Sequence, residues 1–367
     1  MNQDGTKKSL HVAVVLPFLN EQALLANTCH SLGFGVGPAL TPQNTTLFLI
    51  DNGSIDESPR IAEEIRRESA SGSVILGSES RRGYVPARHR GVLMIRSELT
   101  NSRDELFVVQ ADADTNYEPG YLAAMRLAAE AAGSNVLLEG RTSYPAEFIE
   151  LHRSYVELCR MVDSSVDEWL VAFNDDVIVD DKVSAFRLSD YYNWGGHQRE
   201  YAPGNNEIYA ETSRLYLRAK ARHAARKQVD TATAAPSMRR LLKEPACHFA
   251  TAGFPREDSW TDWWRRGYRG PGTLMEFYRS TSHPEVQRSI RMRKMHLLAL
   301  FAILPLHVDR SLKNNVDEVS EFASLVLPIL PIRTYEEMQR SPGIFLTDVF
   351  ALIDSHGDHL LEELKIT

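Results

Sequence analysis

Cysteine is scarce in this chain. Cys29, Cys159 and Cys247 are odd in number and far apart, with no CxxC pair and no Cys/His cluster. A disulfide framework and a structural zinc site are therefore not indicated, and a reducing, cytoplasmic setting is expected. A basic surplus is lacking too: the net charge is −8, which argues against nucleic acid as a partner, since phosphate-backbone binding needs clustered cations. Long apolar runs are few. The longest, "MHLLALFAILPL" at 295–306, is shorter than the about 20 residues that span a bilayer. Arg291, Arg293 and Lys294 lie just before or at its start, so it reads either as a buried core helix or as a helix making peripheral membrane contact. The N-terminal "MNQDGTKKSLHVAVVLPF" has no signal-peptide pattern. No GxxxxGK[ST] is present, which excludes P-loop chemistry. No glycine-rich G-x-G-T-R-x loop follows the first apolar segment, which counts against nucleotidyl transfer.

What is present is a globular composition, 43% hydrophobic over 367 residues, enough for one large domain or two smaller ones. The first half alternates two periodicities. "HVAVVLPF" (11–18) is a β-branched run suited to a strand buried on both faces. "NEQALLANTCHSL" (20–32) reads as a helix with Asn20 as N-cap. Strands are expected at 45–54, 73–78, 105–112 and 135–140. Helices are expected at 56–69, with Glu63 and Glu64 placed to pair with Arg67, at 85–99, and at 120–133, closed by Gly133. This order predicts an α/β fold with a mostly parallel sheet and helices on both faces. From 141 to 250 the pattern is less regular, with 189–211 expected as an irregular, pocket-lining segment. The stretch 213–236 reads as a basic helix followed by a small-residue loop. Residues 285–367 read as helical, broken at Pro305, Pro328 and Pro331.

In open parallel sheets, ligands bind beyond the carboxyl ends of the strands. Each expected strand ends there in polar residues: Pro17 to Glu21, Asp51 to Ser54, Arg81 to Gly83, and Asp112 to Asp114. Asp112-x-Asp114 is the most suggestive. Alternation at a strand end would put both carboxylates on one side, where they repel unless a cation lies beside them. Mg²⁺ or Mn²⁺ suits such oxygen ligands, held by one or two carboxylates plus substrate phosphates.

Four segments then occur in order at βα spacing: "VAVVLPFLNEQALL", "LFLIDNGSIDES", "RRGYVPARHRGV" and "VVQADADTNYEPGYL". With them the sequence resembles the family 2 glycosyltransferases of the GT-A fold. The matching residues are Pro17, Asn20 and Glu21; Asp51, Ser54 and Asp56; Gly83, Ala87, Arg88 and Gly91; and Asp112 and Asp114. His89 departs from the family pattern, which often has Asn there. The resemblance resumes at "GNNEIYAE" (204–211) and "AGFPREDSWTDWWRRG" (252–267), covering about residues 10–270.

The resemblance implies a nucleoside-diphosphate sugar donor, UDP favoured, and roles for several residues. Asp51 would accept from the base, with Pro17, Asn20 and Glu21 lining the same pocket. Gly83 opens the segment carrying Arg88, which would help hold the base or phosphate end. Asp112 would sit near ribose and metal, Asp114 would coordinate the metal, and Asn205 would reach sugar or phosphate. His283, or else His307, would be a third metal ligand. Inverting transfer needs a base for the acceptor hydroxyl and positive charge for the departing diphosphate. Asp258 is the candidate base and Glu257 its support, although an acidic pair before a helix also suits the helix dipole. Trp194, Trp260, Trp263 and Trp264 are either sugar-stacking or core residues. The implied organisation is a transferase domain over 1–270, with a donor half at 10–140 and an acceptor half at 141–270, then a helical region at 271–367. The acceptor, a sugar, lipid-linked or small-molecule hydroxyl, is not legible. A retaining transferase of the same fold, resembling mannosylglycerate synthases, and a non-catalytic nucleotide-sugar-binding protein are the alternatives.

Overall fold

The computed structural model describes residues 9–99, 105–313 and 320–366. The chain folds as two compact units that interleave along the sequence. The first comprises Met1–Ser143, Val179–Arg199 and Arg222–Ser237, and the second Tyr144–Ile178, Glu200–Ala221 and Met238–Thr367.

The first unit is built on a sheet of β1 (Leu10–Phe18), β2 (Thr45–Asp51), β3 (Val74–Ser78), β4 (Glu105–Gln110), β5 (Thr115–Tyr117), β6 (Val136–Thr142), β7 (Ser184–Arg187) and β8 (Ala225–Pro236). Their spatial order is β3-β2-β1-β4-β7-β6-β8-β5. The first four are mutually parallel, β7 runs antiparallel to β4 and β6, β8 is parallel to β6, and β5 is antiparallel to β8. The expected α/β architecture is thus present, with the uniformly parallel part confined to one side. The helices here are α1 (Leu25–Ser31), α2 (Ser58–Glu68), α3 (Tyr84–Glu98) and α4 (Tyr121–Ala131).

Strand alternation sorts these helices onto two faces. Val12, Val14, Leu16 and Phe18 share one core with Leu25 and Cys29 of α1, Ile65 of α2, and Met125 and Ala129 of α4. Val15 faces the other way, toward α3. A Cβ at Gly91 would lie 2.4 Å from Val15 Cγ1, so glycine lets α3 approach the sheet this closely. Pro17 lies beyond the last β1–β4 pair, Val15 with Gln110, where a missing N–H leaves no gap in that ladder.

Local expectations change in several places. Asn20 is not an N-cap: it is left-handed at φ 55°, and α1 starts only at Leu25. Glu63 pairs with Arg66, and Glu64 with Arg60, rather than with Arg67; both are ordinary one-turn neighbours. Gly133 does not close α4. Ala132 turns extended at φ −84°, ψ 145°, and the Arg187 guanidinium donates to the carbonyls of Ala129, Ala132 and Gly133 at 2.8, 2.8 and 3.2 Å, so a side chain from β7 caps the helix instead. The small-residue stretch after the basic helix is no loop. Residues 225–236 form β8, the longest strand of the sheet. Its Ala and Thr side chains carry little strand signal, but they leave room: a Cβ at Gly140 of β6 would lie 2.5 Å from Ala232 O. Backbone pairing on both edges, rather than propensity, makes this a strand.

The second unit is mainly helical, with α5 (Arg153–Ser164), α6 (Glu211–Lys220), α7 (Asp258–Gly267), α8 (Pro284–Leu298), α9 (Leu304–Lys313) and α10 (Gly343–Glu363). A short hairpin, Tyr201–Ala202 with Asn206–Glu207, precedes α6, and a short helix, Leu188–Asn193, belongs to the first unit; part of the stretch expected as irregular is therefore ordered. Pro305 does not break its helix. A π-helical segment, Ala299–Ile303, joins α8 to α9. The Phe301 carbonyl, four residues before Pro305, accepts from Val171 N–H at 2.9 Å. The widened turn absorbs the proline ring and a neighbouring segment satisfies the acceptor. The apolar run is part of a longer element than its 12 letters suggest. Pro284–Leu312 is long and apolar enough to cross a membrane, yet 72% of its most apolar window is buried within the protein. It packs with Phe345, Val349 and Ile353 of α10 in the main core of this unit.

Candidate functional site

The loops expected to bind ligand in the first unit are fastened to one another. The turn after β1 is joined to the turn after β2: Asn20 N–H donates to Ser54 Oγ at 3.0 Å, Asn20 Oδ1 accepts from Ile55 N–H at 2.9 Å, and Glu21 N–H donates to Ser58 Oγ at 2.8 Å. Asp56 Oδ2 accepts from Gln22 N–H and Oδ1 from Ser58 N–H; desolvation would raise its carboxyl, but the hydrogen bonds from Ser58 and Gln22 together outweigh it and hold the group below its usual range. Asp51, at the end of β2, accepts from Ser54 N–H at 2.9 Å. Asn52, buried beside it, donates to the carbonyls of Glu79 and Arg81, both at 2.8 Å, and accepts from Gly83 N–H at 3.1 Å. One amide thus positions the loop that leads into α3, where Gly83 at φ 124° stands as N-cap. Asn52 was not singled out by motif, because an Asn in a turn has a sufficient local explanation.

Asp112 and Asp114 do not alternate along a strand. β4 ends at Gln110, and the two carboxylates sit in a turn leading to β5. That turn is pinned at every residue. Ala111 N–H donates to Val15 O, Asp112 N–H to Tyr117 Oη at 3.0 Å, Thr28 Oγ1 to Ala113 O at 3.0 Å, and Ser237 N–H to Asp114 O at 2.9 Å. The Tyr117 hydroxyl in turn donates to Lys182 O at 2.9 Å, joining the acidic turn to the segment Asp180–Lys182. Arg88, 1% exposed, completes the join: its Nη2 donates to Asp112 Oδ1 and to Asp181 Oδ2, the latter at 3.0 Å. Arg88, expected to hold the base or phosphate end, thus has two carboxylates as partners. Lys182 Nζ lies 2.5 Å from Asp180 Oδ1. Burial would lower its pKa, but the carboxylates of Asp180, Asp181 and Asp112 outweigh it and hold the ammonium charged, well above its ordinary value. The run "VDDKV" at 179–183 was the available signal for this group; lying far along the chain from Asp112, it had no motif to attach it.

This donor set suits a divalent cation. Among the described residues no three His, Cys, Asp or Glu side chains gather into a preformed cage. Mg²⁺ and Mn²⁺ do not require one, since one or two carboxylates complemented by diphosphate oxygens and water suffice. Asp112, with one oxygen on Arg88, and Asp114 would supply those carboxylates.

Other candidates lie in the second unit. Asp258 is the first residue of α7 and Glu257 its N-cap, so both acids gain from the helix dipole. Asp258 Oδ2 also accepts from the Tyr209 hydroxyl at 2.9 Å, and Glu257 Oε1 from Arg256 at 3.2 Å. Arg256 is itself fixed by Asp354 at 2.8 and 3.1 Å and lies between the rings of Trp260 and Phe350, 4.4 and 4.3 Å from their centroids. Neither Tyr209 nor Arg256 was found from the sequence, because Tyr209 meets Asp258 and Arg256 meets Asp354 across long stretches of chain. Asn205 is exposed and left-handed at the hairpin turn. His283 Nδ1 accepts from Glu285 N–H at 3.2 Å, capping α8. His307 is buried against Asp348 at 3.0 Å, an acid that also holds Arg333. The tryptophans divide. In the first unit Trp194 is core, donating to Asn135 Oδ1 at 2.8 Å. In the second, Trp264 is buried and stacked on Trp260, while Trp263 is 58% exposed.

Comparisons with known proteins give one family match and several weak structural likenesses. Residues 13–188, just under half of the chain, match the model of glycosyl transferase family 2. No curated protein sequence matches the chain. Solved structures with some likeness include the glucosyl-3-phosphoglycerate synthase from Mycobacterium tuberculosis in complex with Mn²⁺, UDP and glucosyl-3-phosphoglycerate. It is 19% identical over 63% of this chain and 73% of that one, at a TM-score of 0.38. The mannosyltransferase PcManGT from Pyrobaculum calidifontis, in complex with GDP-Man and Mn²⁺, is 14% identical over 93% and 86%, at 0.45. TarS 1–349 of S. aureus is 12% identical over 82% and 87%, at 0.40.

Proposed function

We propose that this glycosyltransferase, whose residues 13–188 match family 2, is metal-dependent and transfers a sugar with inversion from a nucleoside-diphosphate sugar, UDP favoured, to a hydroxyl acceptor. The observation that carries this is the acidic turn after β4, held at each backbone position while Asp112 and Asp114 stand at the carboxyl end of a parallel strand. Asp51 and the turn at Pro17, Asn20 and Glu21 would take the base. Gly83 sets the approach of α3, and Arg88 holds Asp112. Bound Mg²⁺ or Mn²⁺ supplies positive charge against the diphosphate as it departs. Asp258, oriented by Tyr209, would accept the proton of the attacking hydroxyl, with Glu257 supporting it. Asn205 and His283 stay candidates for sugar or phosphate contact and for metal ligation. The acceptor is a sugar, a lipid-linked molecule or a small molecule, and the location cytoplasmic or membrane-associated.

The test is UDP release from UDP-sugars with Mn²⁺ and with EDTA, beside Asp114→Asn. Turnover should require the metal, and the variant should lose metal-dependent UDP binding. Undiminished metal-dependent binding by the variant would remove Asp114 from the site. The product's anomeric configuration, read by NMR, separates inversion from retention.

A further inference from the structure

We propose that Asp181 is a positioning residue for the donor site: by sharing Arg88 with Asp112, it keeps the charge of Asp112 available to a divalent cation bound with a nucleoside diphosphate. The inference rests on the metal reading of the acidic turn. Arg88 is buried, so water screens its charge little and neighbouring carboxylates must balance it. A single nitrogen, Nη2, donates to oxygens of both Asp112 and Asp181. Were Asp112 the only acid, the guanidinium charge would offset its own, and the nearby positive charge would weaken its attraction for a cation. With Asp181 on the same nitrogen, two negative charges face one positive charge. The side chains of Asp112 and Asp181 are 27% and 31% exposed, so that surplus faces solvent and incoming ligand. Lys182 pairs most closely with Asp180, at 2.5 Å, and its charge also acts on Asp181 and Asp112. Three carboxylates, those of Asp112, Asp180 and Asp181, thus stand against the cations of Arg88 and Lys182, which leaves a surplus of negative charge beside Asp114. Tyr117 keeps the two segments in register by joining Asp112 N–H to Lys182 O, so the sharing does not depend on Arg88 alone.

The test uses the full chain, with UDP and Mn²⁺ as probes, by calorimetry in Mn²⁺ and in EDTA. Asp181→Asn should weaken Mn²⁺-dependent UDP binding by about 10–100-fold, the range for groups that orient metal ligands. UDP binding in EDTA should stay within about twofold. Asp181→Glu should restore most of the affinity. In an Arg88→Gln background the Asp181→Asn change should have little further effect, because the two residues act as one unit. Wild-type affinity in Asp181→Asn overturns the proposal, and so does an equal loss in both backgrounds, which would mean the charge acts directly. If Arg88→Gln does not fold, the glutamate variant decides, and failure of Asp181→Glu to recover affinity overturns it. Wild-type UDP binding that is indifferent to Mn²⁺ would instead remove the metal reading, and this inference with it.

Discussion

Each unit buries arginine against carboxylate, but the acids differ in their exposure. In the first, buried Arg88 faces Asp112 and Asp181, whose side chains remain about a third open. In the second, Glu200 is sealed. It holds Arg214 at 2.9 Å and Arg218 at 3.3 Å, both almost fully buried, and accepts from Gly343 N–H at the start of α10 at 2.6 Å. A sealed network of this kind specifies how helices meet, and removing one member strands the others. A network with its acids open to solvent keeps electrostatic potential for a ligand. On the proposed reading, exposure of the acid, rather than burial of the base, is what would separate a site from a staple.

The largest effect expected belongs to neither network. Asp258→Asn, at the exposed start of α7, should lower turnover by roughly 10²–10⁴-fold as a lost general base does, leaving the melting temperature and UDP affinity near wild type. Full activity would show that its place in the second unit is only helix capping. Next comes the sealed group: Glu200→Ala should destabilise by about 3–5 kcal/mol, read by urea unfolding. A cost below about 1 kcal/mol, the range of exposed pairs, would erase the contrast between staple and site.

Smaller effects should appear with pH, in opposite directions for the two units. Burial pushes Glu139 up to about 7, against the pull of Arg226 and the Asp180 N–H. A raised carboxyl stabilises fully below its ordinary value of 4.5, and that contribution fades as pH rises through about 7. Burial, and then Arg256, bring His296 down to about 3. A depressed histidine stabilises above its ordinary 6.5, and that contribution fades as pH falls toward 3. Amide exchange resolved by unit should therefore show the first unit loosening from pH 4.5 to 7 and the second loosening below 6.5. Glu139→Gln should flatten the first slope, even though it leaves Arg226 without its acid. Parallel slopes in both units would contradict the assignment.

Legibility followed locality. β1, β2, β3 and β4 were readable because continuous β-branched runs suit strands buried on both faces. Asp51, Gly83, Asp112 and Asp114 were singled out because they stand in polar segments after strands, where the structure also places them, and Arg88 was singled out by the resemblance alone. β8 was missed, since "TATAA" has no strand character until β6 and β5 pair with it. Pro305 was misread as a break, because a π-turn and a distant N–H from Val171 accommodate it.

The sequence alone determined which segments bear a buried face and which strand ends carry acids, because periodicity and residue chemistry are local properties. Only the tertiary structure decided that Arg88 is shared by Asp112 and Asp181, that Asn52 and Tyr117 fix the loops, and that Asp258 meets Tyr209. Hydrogen bonds and ion pairs between residues tens of positions apart depend on how the chain is brought together, and no spacing along it records them.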